Sequence, residues 1–329
     1  MSRIPAGKIP VELLARLLAA MGSVPAEVRL GPAPGEDACV IEVGGGALVA
    51  ATDPITLTTD DLGRFAVAVN ANDVAVTGVQ PRWFLAVVLL PVGTTEALVE
   101  QVFASMHDAL AEVGATLVGG HTEVTSAVNR PVVVGQMLGL AEDGRFVATS
   151  GAAPGDVVVQ VGEVPIEGAA VFAAEAADRL GAVASDVVTA ARRGLREPGI
   201  SVVEAAIAAG GLGATAMHDP TEGGLAAGLH ELAVAAGVAV RVTTSEVRWF
   251  EPGVQVCRAL GADPWATLAS GSLLATFPQS AVTEAIEALS RLGPPVAAIG
   301  VIEQGNGVRT DGGAAIVRPD RDELARLLG

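Results

Sequence analysis

Basic residues are scarce in this 329-residue chain: 20 Lys and Arg against 37 Asp and Glu, for a formal net charge of −17. Nucleic acid and anionic membrane surfaces need a basic footprint, so both are excluded as partners. An anionic substrate would need a metal ion or a local cation. Lysine occurs once, at Lys8. Tyrosine is absent and aromatics make up 3 % of residues, so the core is expected to be Val, Leu, Ile and Ala. The two cysteines, Cys39 and Cys257, form no CxxC or CxxH pattern, which leaves no disulfide framework and no structural zinc site. Long apolar runs are missing too: residues 83–90 are strand-length and end at Pro91. The first residues lack the apolar stretch of a signal peptide, so a soluble, cytoplasmic protein is expected.

Familiar nucleotide motifs are also lacking. No GxxxxGK[ST] occurs, no GxGxxG follows a predicted strand, and no GxSxG is present.

What is present is a regular alternation. Residues 11–21 have helical apolar spacing, and strands are predicted at 38–43 and 47–51 around the turn at Gly44–Gly46. A helix is predicted over 62–77, a buried strand over 83–90, and a helix over 95–113 started by Thr94 or Thr95 and stopped by Gly114. Strands follow at 115–118 and 132–140. Turn-rich residues 142–156 mark the best boundary. Beyond it, strands are predicted at 157–161, 238–242, 272–277 and 297–302, with helices near 168–180, 201–210 and 221–236. The pattern fits layered α/β or α+β domains. His107 and His230 fall in helical patterns, and Trp83, Trp249 and Trp265 are expected to pack.

Five polar clusters interrupt this apolar background: Gly35-Glu36-Asp37-Ala38, Thr52-Asp53-Pro54, Asn70-Ala71-Asn72-Asp73, Gly119-Gly120-His121-Thr122-Glu123, and Met217 through Gly224. Asp53 before Pro54 reads as a turn, and Asp219 reads as a helix N-cap with Pro220 and Glu222 behind it. Asn70 and Asp73 are harder to place as structural residues, because they share one face of a helix otherwise made of Ala and Val. Gly119 and Gly120 suggest close approach of a ligand to the backbone. Together, aspartates at several strand ends of an acidic protein suit a metal-bridged polyphosphate.

The order GEDACVI, ATD, VNANDVAVTGVQPRWFL, GGHTEV and MHDPTEGGL resembles the superfamily of aminoimidazole-ribonucleotide synthetase, HypE, thiamine-monophosphate kinase and selenophosphate synthetase, with residues 66–90 most similar to the HypE branch. That resemblance implies a two-domain α/β (α+β), PurM-like fold. Residues 1–148 would bind ATP and pair strands with a twin subunit in a homodimer, and residues 149–329 would form the C-terminal domain. It implies Mg²⁺ and phosphates held by Asp37, Asp53, Asp73 and Asp219, with Asn70, Gly119, Gly120 and His121 bordering the nucleotide. Lys8 would close over the phosphates, and His121 or Glu123 would orient a small-molecule or protein-borne acceptor.

Two departures stand out. Glu36 and Cys39 replace residues of a Gly-Asp-Asp-Ala-Ala pattern, and Cys39 is expected to be a buried hydrophobe. The last residues read Arg326-Leu327-Leu328-Gly329, without the cysteine of the HypE tail that they resemble in position. The expectation is therefore ATP-dependent activation of an amide or carbonyl oxygen that is not HypE's own reaction. A small-molecule kinase and a non-catalytic nucleotide-binding scaffold are the alternatives.

Overall fold

The computed structural model describes residues 9–20, 24–56 and 61–329. Lys8 lies outside them. In chain order the elements are α1 (Val11–Ala19), β1 (Val28–Leu30), β2 (Cys39–Val43), β3 (Gly46–Ile55), α2 (Leu62–Ala75), β4 (Pro81–Pro91), α3 (Glu96–Val113), β5 (Thr116–Thr125) and β6 (Val132–Ala141). The second half contributes β7 (Val157–Val161), α4 (Glu167–Glu175), α5 (Ser185–Arg193), α6 (Val203–Gly211), β8 (Ala216–His218), α7 (Gly224–Ala236), β9 (Ala239–Val242), α8 (Glu251–Leu260), β10 (Leu273–Phe277), α9 (Val282–Ser290), β11 (Val296–Glu303), β12 (Gly307–Thr310) and α10 (Glu323–Leu328).

Two six-stranded sheets result, ordered β1-β2-β3-β6-β4-β5 and β12-β9-β11-β7-β10-β8. Pairing is antiparallel except for β4 with β5 and β12 with β9. Every residue of β7 and β10 is buried, and all but Gln160 and Thr276 are apolar. The first sheet differs. Burial alternates along β4 and β6, and β5 is exposed along almost its whole length, with Val118 53 % and Val124 58 % exposed.

Helix α2 is buried along nearly its entire length. Its small residues are dictated by close packing: a Cβ at Gly63 would sit 2.2 Å from the Val102 carbonyl oxygen of α3. The neighbouring α3 begins where Thr95 accepts from the Leu98 N–H and ends where Gly114 turns at φ 73°.

Three expectations change here. The strand containing Asp53 does not turn at Pro54. It runs on to Ile55, where only β6 flanks it. The Gly119–Glu123 segment lies within β5 rather than beyond it. Cys39 is half-buried at the start of β2, while Cys257 is the buried thiol.

The halves are joined by buried polar contacts as well as apolar ones. Asn72 of α2 donates to the Ile200 carbonyl at 2.8 Å and accepts from the Val202 N–H at 2.9 Å. Glu36 accepts from the backbone N–H groups of Thr149 and Ser150, both at 3.1 Å. Removing the Asn72 amide strands two backbone groups inside the protein. Asn72→Ala is therefore expected to lower unfolding free energy by about 3 kcal/mol in urea titrations; a loss below about 0.5 kcal/mol would remove this contact from the inter-half joint.

Candidate active site

The site is built around backbone positions that α2 fixes. Asn70 accepts from the Asp53 N–H at 2.8 Å and donates to the Asp53 carbonyl at 3.2 Å and to the Ala66 carbonyl at 2.8 Å. It lies directly over Gly135 of β6, where a Cβ would come within 2.3 Å of its amide nitrogen. Thr52 donates to the Gly135 carbonyl at 2.8 Å. Asn70 thus grips the backbone of Asp53 and fixes where that carboxylate emerges. Asp73, three residues on, is 5 % exposed.

On the other side, β8 delivers His218 and Asp219 into the interior, 2 % and 1 % exposed. The His218 ring sits between two carboxylates: Nδ1 is 2.6 Å from Asp37 and Nε2 is 3.1 Å from Glu231. Burial disfavours its charge, but the charges and hydrogen bonds of Asp37 and Glu231 win and hold the imidazole protonated well above its usual range. Arg318 donates to the other oxygen of Glu231 at 3.2 Å, which extends the chain of charges to the surface.

Asp219 has no such support. Neither carboxylate oxygen has a hydrogen-bond partner among the described residues. Burial, then the negative charges of Asp37 and Asp53, push its carboxyl well above the usual range, against the pull of His218. It is not a helix cap: α7 opens five residues later, at Gly224, after Gly223. Asp37 and Asp53 therefore both repel Asp219, and the His218 charge that draws it is already shared between Asp37 and Glu231.

Asp53 also lines a cavity of about 1110 Å³, whose walls come from both halves: Ile55, Val69 and residues 126–130 from the first, and Glu167, Val171, Glu222, Leu268, Ser270, Asp322 and Leu328 from the second. Glu167 is 7 % exposed, and its Oε2 is buried without a partner. Burial raises its carboxyl to about 7, with added repulsion from Asp322, Glu222 and Asp53 and a partial offset from the Ser270 hydroxyl. Asp322 caps α10 by accepting from Leu324 N–H and also accepts from Gly223 N–H, both at 2.7 Å. Its carboxyl is raised to about 6 by burial.

The β5 residues sit elsewhere. His121 and Glu123 are exposed neighbours, 3.4 Å apart, on the free edge of the first sheet. Gly120 is required by the chain itself, since a Cβ there would fall 2.0 Å from the Ala86 carbonyl oxygen in β4. Glu231, Glu167 and Arg318 were absent from the residues singled out in sequence, and His218 was quoted there without a role. Only long-range contact gives them one.

Family models match on both halves: AIR synthase related protein, N-terminal domain, over residues 35–141, and AIR synthase related protein, C-terminal domain, over residues 153–312. The chain belongs to the AIR synthase-related family. The carbamoyl dehydratase HypE of Rhodobacter capsulatus is 29 % identical over 249 residues, covering 72 % of this chain and 67 % of the relative. Among solved structures, HypE in complex with ATP superposes with a TM-score of 0.68 at 23 % identity, covering 88 % of this chain and 90 % of that one. AaThiL complexed with AMPPCP and TMP superposes with a TM-score of 0.72 at 21 % identity over 94 % of both chains. At these identities the structural likeness establishes the PurM-like fold of this family member. Among the described residues, no helix is long and apolar enough to cross a membrane.

Glu167 gives this AIR synthase-related protein a measurable signature. Its folded-state carboxyl titrates near 7, above the ordinary 4.5, so the stability tied to its neutral form is complete below about pH 4.5 and lost as pH rises through 7. Glu167→Gln cannot ionise. From pH 5 to pH 8, its unfolding free energy should gain on the wild type by up to roughly 3 kcal/mol, measured by denaturant titration across that range; a constant difference would contradict the raised value.

Proposed function

We propose that this chain is a Mg²⁺- and ATP-dependent enzyme that transfers a phosphoryl group to an amide, carbonyl or similar oxygen of an acceptor held in the cavity. The observation that carries this reading is the Asp219 carboxylate, buried with both oxygens unpartnered beside Asp37 and Asp53. Such a set calls for a hard cation, and its donors are all carboxylate oxygens. No three His, Cys, Asp or Glu side chains among the described residues converge closely enough to hold a metal ion alone. That fits Mg²⁺, which commonly takes one or two carboxylates and completes its shell with phosphate and water. Asp37, Asp53, Asp73 and Asp219 are the proposed holders, one or two of them touching the ion and the others reaching it or the phosphates through water. When bound, it would neutralise phosphate charge.

The chain's own contribution is positioning. Asn70 holds Asp53 by its backbone, and His218 orients Asp37. Family relatives complexed with ATP or AMPPCP support nucleotide as the donor. Lys8, outside the described residues, is proposed to close over the phosphates. We further propose a homodimer formed through β5, whose exposed backbone edge and exposed Leu117, Val118 and Val124 invite a second strand. In that dimer Gly119, Gly120, His121 and Glu123 would no longer be solvent-exposed and would border the nucleotide or acceptor. The domain division at 148/149 and the cytoplasmic location are proposed on the same resemblance. A kinase acting on a small molecule would use the same Asp set and differ only in its acceptor.

Calorimetric titration of ATP tests the site. Binding should require Mg²⁺, and Asp53→Ala should weaken it at least roughly a hundredfold, because a carboxylate facing metal and phosphate is removed. Slow ATP hydrolysis without any partner would separate an enzyme from a scaffold. Metal-independent binding, or unchanged affinity in the variant, would refute the arrangement. Light scattering tests the dimer: Val118→Glu should convert dimers to monomers, and a monomeric wild type would remove strand pairing through β5.

A further inference from the structure

The loop that carries Asp37 is seated on one residue of α7. Gly35 takes φ 88°, and a Cβ there would fall 2.7 Å from the Glu231 carbonyl oxygen, so loop backbone lies directly against helix backbone. Two residues later the side chains repeat the contact. The protonated His218 ring donates from Nε2 to Glu231 at 3.1 Å and from Nδ1 to Oδ2 of Asp37 at 2.6 Å. Two carboxylates thus grip opposite edges of one imidazole whose side chain is 3 % exposed. Neither ring nitrogen can leave its acceptor without stranding a buried N–H.

Glu231 is itself held. Arg318, on the segment between β12 and α10, donates to its Oε1 at 3.2 Å, while Oε2 faces the His218 ring. The same segment is fastened to α7 where His230 donates to the Ile316 carbonyl at 2.8 Å. The order Arg318, Glu231, His218, Asp37 alternates in charge, and its first three side chains run from 32 % to 12 % to 3 % exposed. Joining the halves does not require this arrangement, because Asn72 and Glu36 already do so through backbone groups. What it fixes is the direction of one carboxylate. Carboxylates that face a metal are commonly oriented by hydrogen-bonding partners of their own, and those partners tune affinity without touching the ion.

We propose that Glu231 is a positioning residue for Asp37, acting through His218, with Arg318 holding Glu231 in place. The consequence of this link rests on the functional reading above: a fixed Asp37 lowers the Mg²⁺ concentration that nucleotide binding needs. Glu231 takes no part in holding metal or nucleotide. Without its carboxylate the ring loses one of its two anchors, and Asp37 loses the fixed donor that sets its direction.

Two measurements on the full chain test the link. With aspartate labelled at its carboxyl carbon, the Asp37 resonance is the one that Asp37→Asn removes. Glu231→Gln keeps the shape and drops the charge, and it should move that resonance; Glu100→Gln, an exposed change on α3, should not. ATP is then titrated calorimetrically over a Mg²⁺ series. Glu231→Gln should raise the Mg²⁺ concentration for half-maximal binding about tenfold at unchanged stoichiometry, and Arg318→Gln should raise it by a smaller factor. In the Asp37→Asn background, Glu231→Gln should add less than about twofold, because its effect runs through Asp37. A Glu231 that served the fold alone would lower the binding-competent fraction, or act equally in both backgrounds. The proposal is overturned by an unmoved Asp37 resonance, by an unchanged Mg²⁺ requirement in Glu231→Gln where the wild type binds Mg²⁺-ATP, or by equal effects in both backgrounds. A moved resonance in a protein whose wild type binds no Mg²⁺-ATP upholds the link between Glu231 and Asp37 and strikes the functional reading instead.

Discussion

One buried carboxylate without a partner organises this protein. A charged group removed from water without compensation costs several kcal/mol, and proteins retain such groups where something else supplies the compensation. Asp219 is in that position, and the residues around it increase its need. Asp37 and Asp53 repel it, while the positive charge of His218 beside it is already shared between Asp37 and Glu231. Neutralising the set from within would take a lysine or arginine, and the described interior offers none at Asp219. In the proposed reading a cation delivered with substrate would resolve the conflict and would tie stability to binding.

The rest of the fold reads as a means of holding that arrangement. Asn70 presses on Gly135 and grips both backbone groups of Asp53, so the position of one carboxylate is set by a helix lying across a sheet. Asn72, two residues later, anchors the same helix to residues 200 and 202 of the second half. The alternation of Ala and Val with Asn in α2 follows from this double duty. A larger side chain would lift the helix from its neighbours, and an apolar one would leave backbone groups of the other elements unpaired. Glu36 performs a similar joining role at Thr149 and Ser150. Its extra methylene suits it to reach the backbone of the other half, while Asp37 beside it faces His218.

Much of the fold is legible in the sequence because its signals are local. Thr95 and Gly114 bracket α3, and the apolar runs at 157–161 and 272–277 mark strands buried on both faces. The misreadings also have local causes. The sequence Asp219-Pro220-Thr221-Glu222 imitates a helix start, but Gly223 and Gly224 both take positive φ and open the helix later. A Cβ at Gly224 would fall 2.5 Å from the Trp265 carbonyl oxygen, so tertiary packing chooses the start. Paired glycines at 119 and 120 look like a loop, yet in parallel pairing with β4 they continue a strand. The short elements α5, α8, α9, β8 and β12 were not assigned, although α5, α8 and α9 are amphipathic at helical spacing. Glu167 was invisible for another reason. A glutamate in the first turn of a helix is ordinary, and only burial against the cavity distinguishes it. Likewise, His218 meets Asp37 across 181 residues of sequence, a separation no motif records.

The most direct test compares the denaturant stability of the wild type and Asp219→Asn, each with and without Mg²⁺-ADP. Without metal the variant should gain stability on the wild type as pH rises, because it cannot ionise in that buried place, and only the wild type should gain stability when Mg²⁺-ADP is added. A variant that does not gain on the wild type with pH in metal-free buffer, yet is still stabilised by Mg²⁺-ADP, would show that Asp219 is satisfied within the fold and would contradict the account.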